Sequence, residues 1–136
     1  MKHLATALVL TLLSTLTQAQ MQPGRWEMSS QMNMQGMQMP GHKSTQCLTA
    51  QDIAAGKQHQ MDDGQSKCQV SDMKTSGASY SYNFDCASAE GKMSGQAKGN
   101  SAATTFTTEI KLRMTPDQGV GEITQIMNGR RTGDCK

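Results

Sequence analysis

Large apolar side chains are scarce in this sequence. Its 136 residues include one Trp, two Tyr and two Phe, and 35% of the residues are hydrophobic. After residue 19 no long apolar run occurs, so we expect no transmembrane segment there, since a spanning helix needs about 20 apolar residues. The 12 Met residues, all but Met1 after residue 19, must therefore supply much of the core. A thin core rich in flexible Met specifies a fold weakly, so we expect covalent cross-links to support it.

Charge is also limited. Charged residues make up 18% of the chain, and the net charge of +2 is scattered along it. Arg130 and Arg131 form the one adjacent arginine pair. Nucleic-acid binding needs a basic patch or stripe, which two residues do not make. We therefore expect no nucleic-acid partner.

Residues that could support catalysis are few. His42 and His59 are the only histidines after residue 19. A Ser or Cys nucleophile needs an adjacent base that a third group orients, and no such pattern stands out. Asp62 and Asp63 lie in a polar stretch that is typical of a solvated loop. We therefore predict that the protein is not an enzyme and has no cofactor, with Cu(I) as the alternative considered below.

The first nineteen residues have the pattern of a cleaved secretory signal peptide. Lys2 and His3 form a basic start, and an apolar run extends from Leu4 to Leu16. Small residues then precede a predicted cleavage site after Ala19. The pattern predicts export to the periplasm, with secretion beyond it as an alternative, and leaves residues 20–136 as a single domain.

Alternating apolar and polar residues, the period of a β-strand, dominate residues 20–136. Turn-forming residues such as Gly, Pro and Asn separate the alternating segments. A Gly/Met/Pro loop is predicted at residues 36–41, a polar loop at 57–66, a turn at Gly99-Asn100 and a bulge within the last strand. The predicted strands are residues 25–35, 42–47, 67–75, 79–86, 92–98, 104–114 and 120–127.

One short segment departs from this pattern. Thr49, followed three residues later by Asp52, resembles a helix N-cap, and a short helix is predicted near residues 50–56. Strands of this spacing with tight turns favour an antiparallel meander. The predicted fold is therefore mostly β, with the meander curled into a half-barrel or sandwich and one short helix.

The four Cys residues are predicted to form two disulfides, as is usual in small exported domains. Three pairings are conceivable. With Gly77 at the turn of the hairpin formed by residues 67–86, Cys68 faces Cys86, which leaves Cys47 to pair with Cys135. No two Cys residues are separated by only two others, so neither a zinc site nor a redox motif is indicated.

A cluster of methionines occurs within eleven residues and suggests a metal site. Thioether sulfur is a soft, neutral ligand that suits Cu(I) or Ag(I), and alternate residues of a strand share one face. The candidate ligands are Met34, Met37, Met39 and His42, with Met32 on the same segment. The alternative is core packing, because Met32 and Met34 continue the apolar face begun by Trp26 and Met28.

A binding module is the third hypothesis. A curled sheet with a Met-lined face could hold a small apolar ligand, and an exposed sheet edge could accept a strand from a protein partner. Arg130 and Arg131 beside Asp134 could hold an anion or could pair with an acidic residue near the Cys47–Cys135 disulfide. The identity of the ligand or partner is not indicated by the sequence.

Several short motifs together resemble a known family. Pro23-Gly24-Arg25-Trp26-Glu27 opens the segment after the signal peptide, and Gly129-Arg130-Arg131-Thr132-Gly133-Asp134-Cys135 ends it. Between them lie Gly36-Met37-Gln38-Met39-Pro40 and Gln46-Cys47-Leu48-Thr49. The series resembles the domain-of-unknown-function 3617 family of small exported bacterial proteins, with Arg25 where Leu is expected. The resemblance implies export and a single domain, and it brings no known activity, cofactor or catalytic residue.

Overall fold

The computed structural model describes residues 20–59 and 67–136 of the protein. The predicted signal peptide, residues 1–19, lies outside the described residues. The same holds for residues 60–66 of the predicted polar loop, which include Asp62 and Asp63.

The described part of the chain forms one antiparallel sheet of seven strands and one short helix, so the predicted fold class is confirmed. The elements are β1 (Gly24–Met34), β2 (Met37–Leu48), α1 (Ala50–Ala54), β3 (Lys67–Ser76), β4 (Ser79–Ser88), β5 (Gly91–Ser101), β6 (Thr105–Thr115) and β7 (Ile123–Gly133). The strands follow the order β2-β1-β7-β6-β5-β4-β3 across the sheet. Strands β3 to β7 are the predicted meander, and the β1–β2 hairpin extends it by pairing β1 with β7.

The sheet curls into a half-barrel whose edges are β2 and β3. Ile53, in the helix that follows β2, lines the same cavity as Thr75 near the end of β3 and Gly77 in the turn after it. β2 and β3 are the two outermost strands, so this shared cavity indicates that the sheet curls. The edges do not pair with each other, so the half-barrel stays open.

One face of the sheet carries the core. Alternation along the strands places the apolar side chains on this inner face, as the period of two predicted. Trp26 is fully buried and its ring lies 5.8 Å from that of Phe106, between centroids. The other buried apolar residues are Met21, Met28, Leu48, Tyr80, Tyr82, Phe84, Cys86, Ala97, Ile110, Leu112 and Ile123.

Three aromatic rings lie directly over glycines of the neighbouring strands. A Cβ atom at Gly129 would lie 2.0 Å from Cε1 of Phe106, its partner in the register. The corresponding rings over Gly95 and Gly99 are those of Phe84 and Tyr80. Glycine inside a strand often marks such a close approach. Because these glycines have no side chain, each ring can lie close to the neighbouring backbone. The few aromatic residues can therefore cover a larger part of the inner face.

Two predicted connections are wrong. Residues 36–41 are not a loop, because Gln35 and Gly36 both have positive φ and make a tight two-residue turn of the kind that joins hairpin strands. Residues 99 and 100 are not a turn either, since β5 continues to Ser101 with Gly99 beneath Tyr80. In both segments Gly lies inside a strand or in the tight turn beside one. Composition alone does not distinguish these positions from a loop.

The predicted bulge in the last strand is also wrong in position. β7 begins at Ile123 and pairs without interruption with β1 and β6 until Arg130. The register shift comes later, where Arg25 pairs with Gly133 and Trp26 pairs with Arg131.

The short helix begins as predicted. Thr49 is its N-cap, and the Thr49 and Asp52 side chains each accept a hydrogen bond from the other residue's backbone N–H. A hydrogen bond from Lys57, together with those from Thr49, lowers the pKa of Asp52 to about 2. Lys57–His59 form a 3-10 turn where a loop was predicted.

Both disulfides are present with the predicted connectivity. Cys68 pairs directly with Cys86 across the β3–β4 hairpin, with Cα atoms 3.9 Å apart. Cys47, near the end of β2, is joined to Cys135 at the C-terminus, with Cα atoms 5.7 Å apart. The two bonds use all four Cys residues of the chain.

Candidate functional site: the methionine face of the first hairpin

The β1–β2 hairpin places four methionines on one face of the sheet. Met34 pairs with Met37 beside the turn, and Met32 pairs with Met39 in the next row on this face. Directly opposed residues of antiparallel strands point to the same side, and their Cβ atoms lie about 4.5–5.5 Å apart. We call these four residues the methionine face.

A bulge in β2 brings His42 onto the same side. Ser30 pairs with His42 whereas Met32 pairs with Met39, so β2 has one residue more than β1 in this interval. In a regular strand, residues three apart point to opposite faces. The extra residue, at Pro40-Gly41, cancels this difference and aligns His42 with Met39. The hydrogen-bonding gap that Pro40 leaves is tolerated because β2 is an edge strand.

Exposure divides the methionine face in two. Met37 is 64% exposed and Met39 is 42% exposed. Met32 and Met34 are partly buried and pack against the core cluster that contains Leu112. Core packing therefore describes the two methionines of β1 but not the two of β2.

The surroundings of the methionine face are uncharged within the hairpin. Lys43 pairs with Ser29 and points to the opposite side of the sheet. In β7, the strand next to β1, Ile123 and Gln125 are the partners of Met34 and Met32. A ligand on this face would meet thioether, imidazole and amide groups rather than ionised carboxylates.

Exposed apolar residues elsewhere mark the other edge of the sheet. In the described ranges, the exposed large hydrophobic residues are Met37 and Met39 on β2 and Val70 and Met73 on β3. Each lies on an edge strand, where backbone N–H and C=O groups are also unpaired with a neighbour. The two edges of the half-barrel are thus the surfaces best suited to binding another chain.

The arginines near the C-terminus pair locally. Arg131 pairs with Asp134 and donates a hydrogen bond from Nε to the carbonyl oxygen of Pro23, at 2.8 Å. Arg130 lies 3.4 Å from the Glu27 carboxylate of β1. These contacts hold the last strand and the C-terminus against β1, so the two arginines are engaged within the fold rather than gathered around an anion.

Two tyrosines of the inner face have pKa values that burial raises. Among the described residues, no group of three or more His, Cys, Asp or Glu side chains is placed to hold a metal ion. Burial, and secondarily the nearby Tyr80, raises the pKa of Tyr82 to about 12. Tyr80 itself shares a hydrogen bond with the buried Thr108. Both tyrosines are buried in the packed inner face, and Tyr80 also lines a cavity together with Lys98 and Glu109.

The chain matches one family model over most of its length. The model, described as "Protein of unknown function (DUF3617)", matches residues 21–135 and confirms the resemblance drawn from the sequence motifs. No curated protein matches the chain, and no solved structure does. In residues 20–59 and 67–136, no helix is long and apolar enough to cross a membrane.

Proposed function

We propose that this chain, which belongs to the DUF3617 family of proteins of unknown function, is an exported, non-enzymatic binding domain. Its binding surface is the methionine face together with the open edge of β2. The observation that carries this proposal is the exposure of Met37 and Met39 on an edge strand, beside two partly buried methionines.

Export is supported by the two disulfides and by the leader pattern. Disulfides form and persist in oxidising compartments, which in bacteria means outside the cytoplasm. The expected result of expressing the full chain in a Gram-negative host is a periplasmic protein whose N-terminus is Gln20. Mass spectrometry of the periplasmic fraction checks both points. A protein that keeps Met1–Ala19 and stays with the cytoplasmic fraction would contradict the proposal.

The middle of the inner face is filled by packed side chains, which favours binding at the edge. Trp26, Phe84 and Ile110 are 0%, 2% and 1% exposed, so the inner face offers a small ligand no open space there. Methionine side chains adapt to varied shapes and are common at surfaces that accept different apolar partners. An extended segment of a protein partner could pair with β2 and cover Met37 and Met39 at once.

A fluorescent apolar probe tests this surface without knowledge of the natural partner. We expect bis-ANS to bind the folded, oxidised protein saturably, and the Met37→Gln/Met39→Gln variant to bind it at least about tenfold more weakly. Covering one Met side chain contributes about 1.5–3 kcal/mol, and 1.4 kcal/mol corresponds to a factor of ten. Fluorescence titration gives both affinities.

The matched control is Met73→Gln, which removes an exposed methionine from the opposite edge strand. Its affinity for bis-ANS should equal that of the unmodified protein. An equal loss of bis-ANS affinity in Met73→Gln and in the double variant would show that the probe does not bind specifically to the β2 edge. The proposal would then be wrong about the surface.

A further inference from the structure

We propose that the methionine face is a binding site for a soft monovalent metal ion, Cu(I) or Ag(I). The inference rests on the proposed function, because it names a ligand for the same surface. The juxtaposition that supports it is two cross-strand methionine pairs in adjacent rows, with His42 in the row beyond them.

The chemistry of the donor set selects the ion. Thioether ligands are soft and neutral, and they favour Cu(I) over Zn²⁺, Mg²⁺ or Ca²⁺, which prefer imidazole, thiolate or oxygen ligands. No acidic residue belongs to β2, and Glu27, the one acidic residue of β1, lies at the far end of the hairpin from the turn. A divalent ion on this face would therefore keep its full charge without a carboxylate to balance it.

The oxidising compartment favours the same ligands. All four cysteines are held in disulfides, so no thiolate competes for the metal. Thioethers cannot form disulfides and remain available as ligands where thiols do not. A protein of this compartment that binds a soft cation must therefore rely on methionine and histidine.

The geometry assigns different roles to the ligands. Met37 and Met39 are the exposed residues that first meet the ion. Met32, directly opposite Met39, occupies the middle row and supplies a third sulfur from the partly buried side. Met34 and His42 flank this row on its two sides, and each is within one row of Met39. The site thus has two sulfurs in the middle row, two in the row beside the turn and one imidazole in the row beyond.

The bulge in β2 is what places His42 beside the methionines of this site. Without the extra residue at Pro40-Gly41, His42 would point away from the methionines. A bulge re-aims side chains in this way at functional sites of other sheets. Pro40 and Gly41 therefore serve the site without being ligands.

A silver titration of the oxidised protein, residues 20–136, tests the proposal, because Ag(I) needs no reductant and leaves the disulfides intact. Calorimetry should show one saturable ion per chain. Methyl NMR of labelled methionines should show shifts at Met32, Met34, Met37 and Met39, with Met73 unchanged. Zn²⁺ should produce no saturable heat and no such shifts.

Leucine variants separate the contribution of the sulfur atoms to binding from that of the apolar surface. Met37→Leu/Met39→Leu keeps the apolar surface, so bis-ANS should still bind, while silver affinity falls by at least about a hundredfold, or tenfold for each lost sulfur. Met73→Leu should bind silver as the unmodified protein does. His42→Gln should weaken silver binding less than the double leucine variant.

Two results would overturn the metal site. One is silver affinity in Met37→Leu/Met39→Leu equal to that of the unmodified protein. The other is methyl shifts that spread to Met73 without saturation, which is non-specific binding. If bis-ANS binds the β2 edge as expected in either case, the proposed binding surface stands and only its metal ligand is wrong.

Discussion

Replacing Cys47 and Cys135 together with serine is expected to lower the free energy of unfolding by about 4–5 kcal/mol. The two residues are 88 apart in sequence, and their bond closes a loop that spans most of the described chain. In the chain-entropy account, such a loop restricts the unfolded state strongly. Urea unfolding with linear extrapolation to water measures the change.

The exposure of both residues makes this a clean experiment. Cys47 and Cys135 lie at the surface, so serine leaves no cavity and no buried hydroxyl. The Cys68–Cys86 bond closes a loop of 18 residues, and its loss is expected to have an entropic effect of about 3 kcal/mol. Cys86 is buried, so its replacement adds a packing loss. A change below about 1 kcal/mol for the Cys47/Cys135 variant would contradict the importance given to this bond.

Substitutions at the contact between Phe106 and Gly129 should also lower the free energy of unfolding strongly. Phe106→Ala is expected to lower the free energy of unfolding by about 3–5 kcal/mol, because the ring is 4% exposed and packs against Trp26. Gly129→Ala is expected to lower it by about 1–3 kcal/mol through overpacking, since the new methyl group would overlap the ring of Phe106.

A double-mutant cycle isolates this contact. In the Phe106→Ala background the methyl group of Gly129→Ala has room, so the second substitution should lower stability by less than about 0.5 kcal/mol. Urea unfolding of the four proteins gives the coupling energy. Equal losses from Gly129→Ala in both backgrounds would show that something other than the Phe106 ring requires glycine there.

Local patterns in the sequence predicted most of the strands and both disulfides. The alternation of Tyr80, Tyr82 and Phe84 identifies β4, and counting outward from Gly77 predicted that Cys68 faces Cys86. The observed turn is Gly77-Ala78, with Ser76 paired to Ser79, and a register shift between Ser71 and Lys74 brings Cys68 opposite Cys86. The predicted pairing is therefore correct, although the register does not follow from the turn alone. The remaining disulfide followed by elimination.

Contacts between distant segments could not be predicted in the same way. The pairing of β1 with β7 joins Trp26 to Arg131, and nothing in either segment alone specifies the other as its neighbour. Gly99 and Gly129 similarly read as turn or loop residues until the rings of Tyr80 and Phe106 are placed over them. Period and turn chemistry are local signals, whereas these features are set by the curl of the whole sheet.

The candidate site was predictable in composition and not in geometry. The sequence placed Met34, Met37, Met39 and His42 close together, but it assigned Met37 and Met39 to a loop. The structure puts them on a strand, pairs Met39 with Met32 and brings His42 into line through a bulge. A one-residue bulge leaves no reliable trace in the sequence beyond the Pro40-Gly41 pair that forms it.

Timed oxidation with hydrogen peroxide, followed by peptide mass spectrometry, tests most directly whether the methionines of β2 are surface rather than core. Peroxide converts an accessible thioether to the sulfoxide. The structure predicts that Met37 and Met39 oxidise as fast as Met73, while Met21 and Met28, which are 7% and 8% exposed, remain unmodified. Protection of Met37 and Met39 to the same degree as Met28 would show that these two side chains are buried. The methionine face would then be part of the core and not a binding surface.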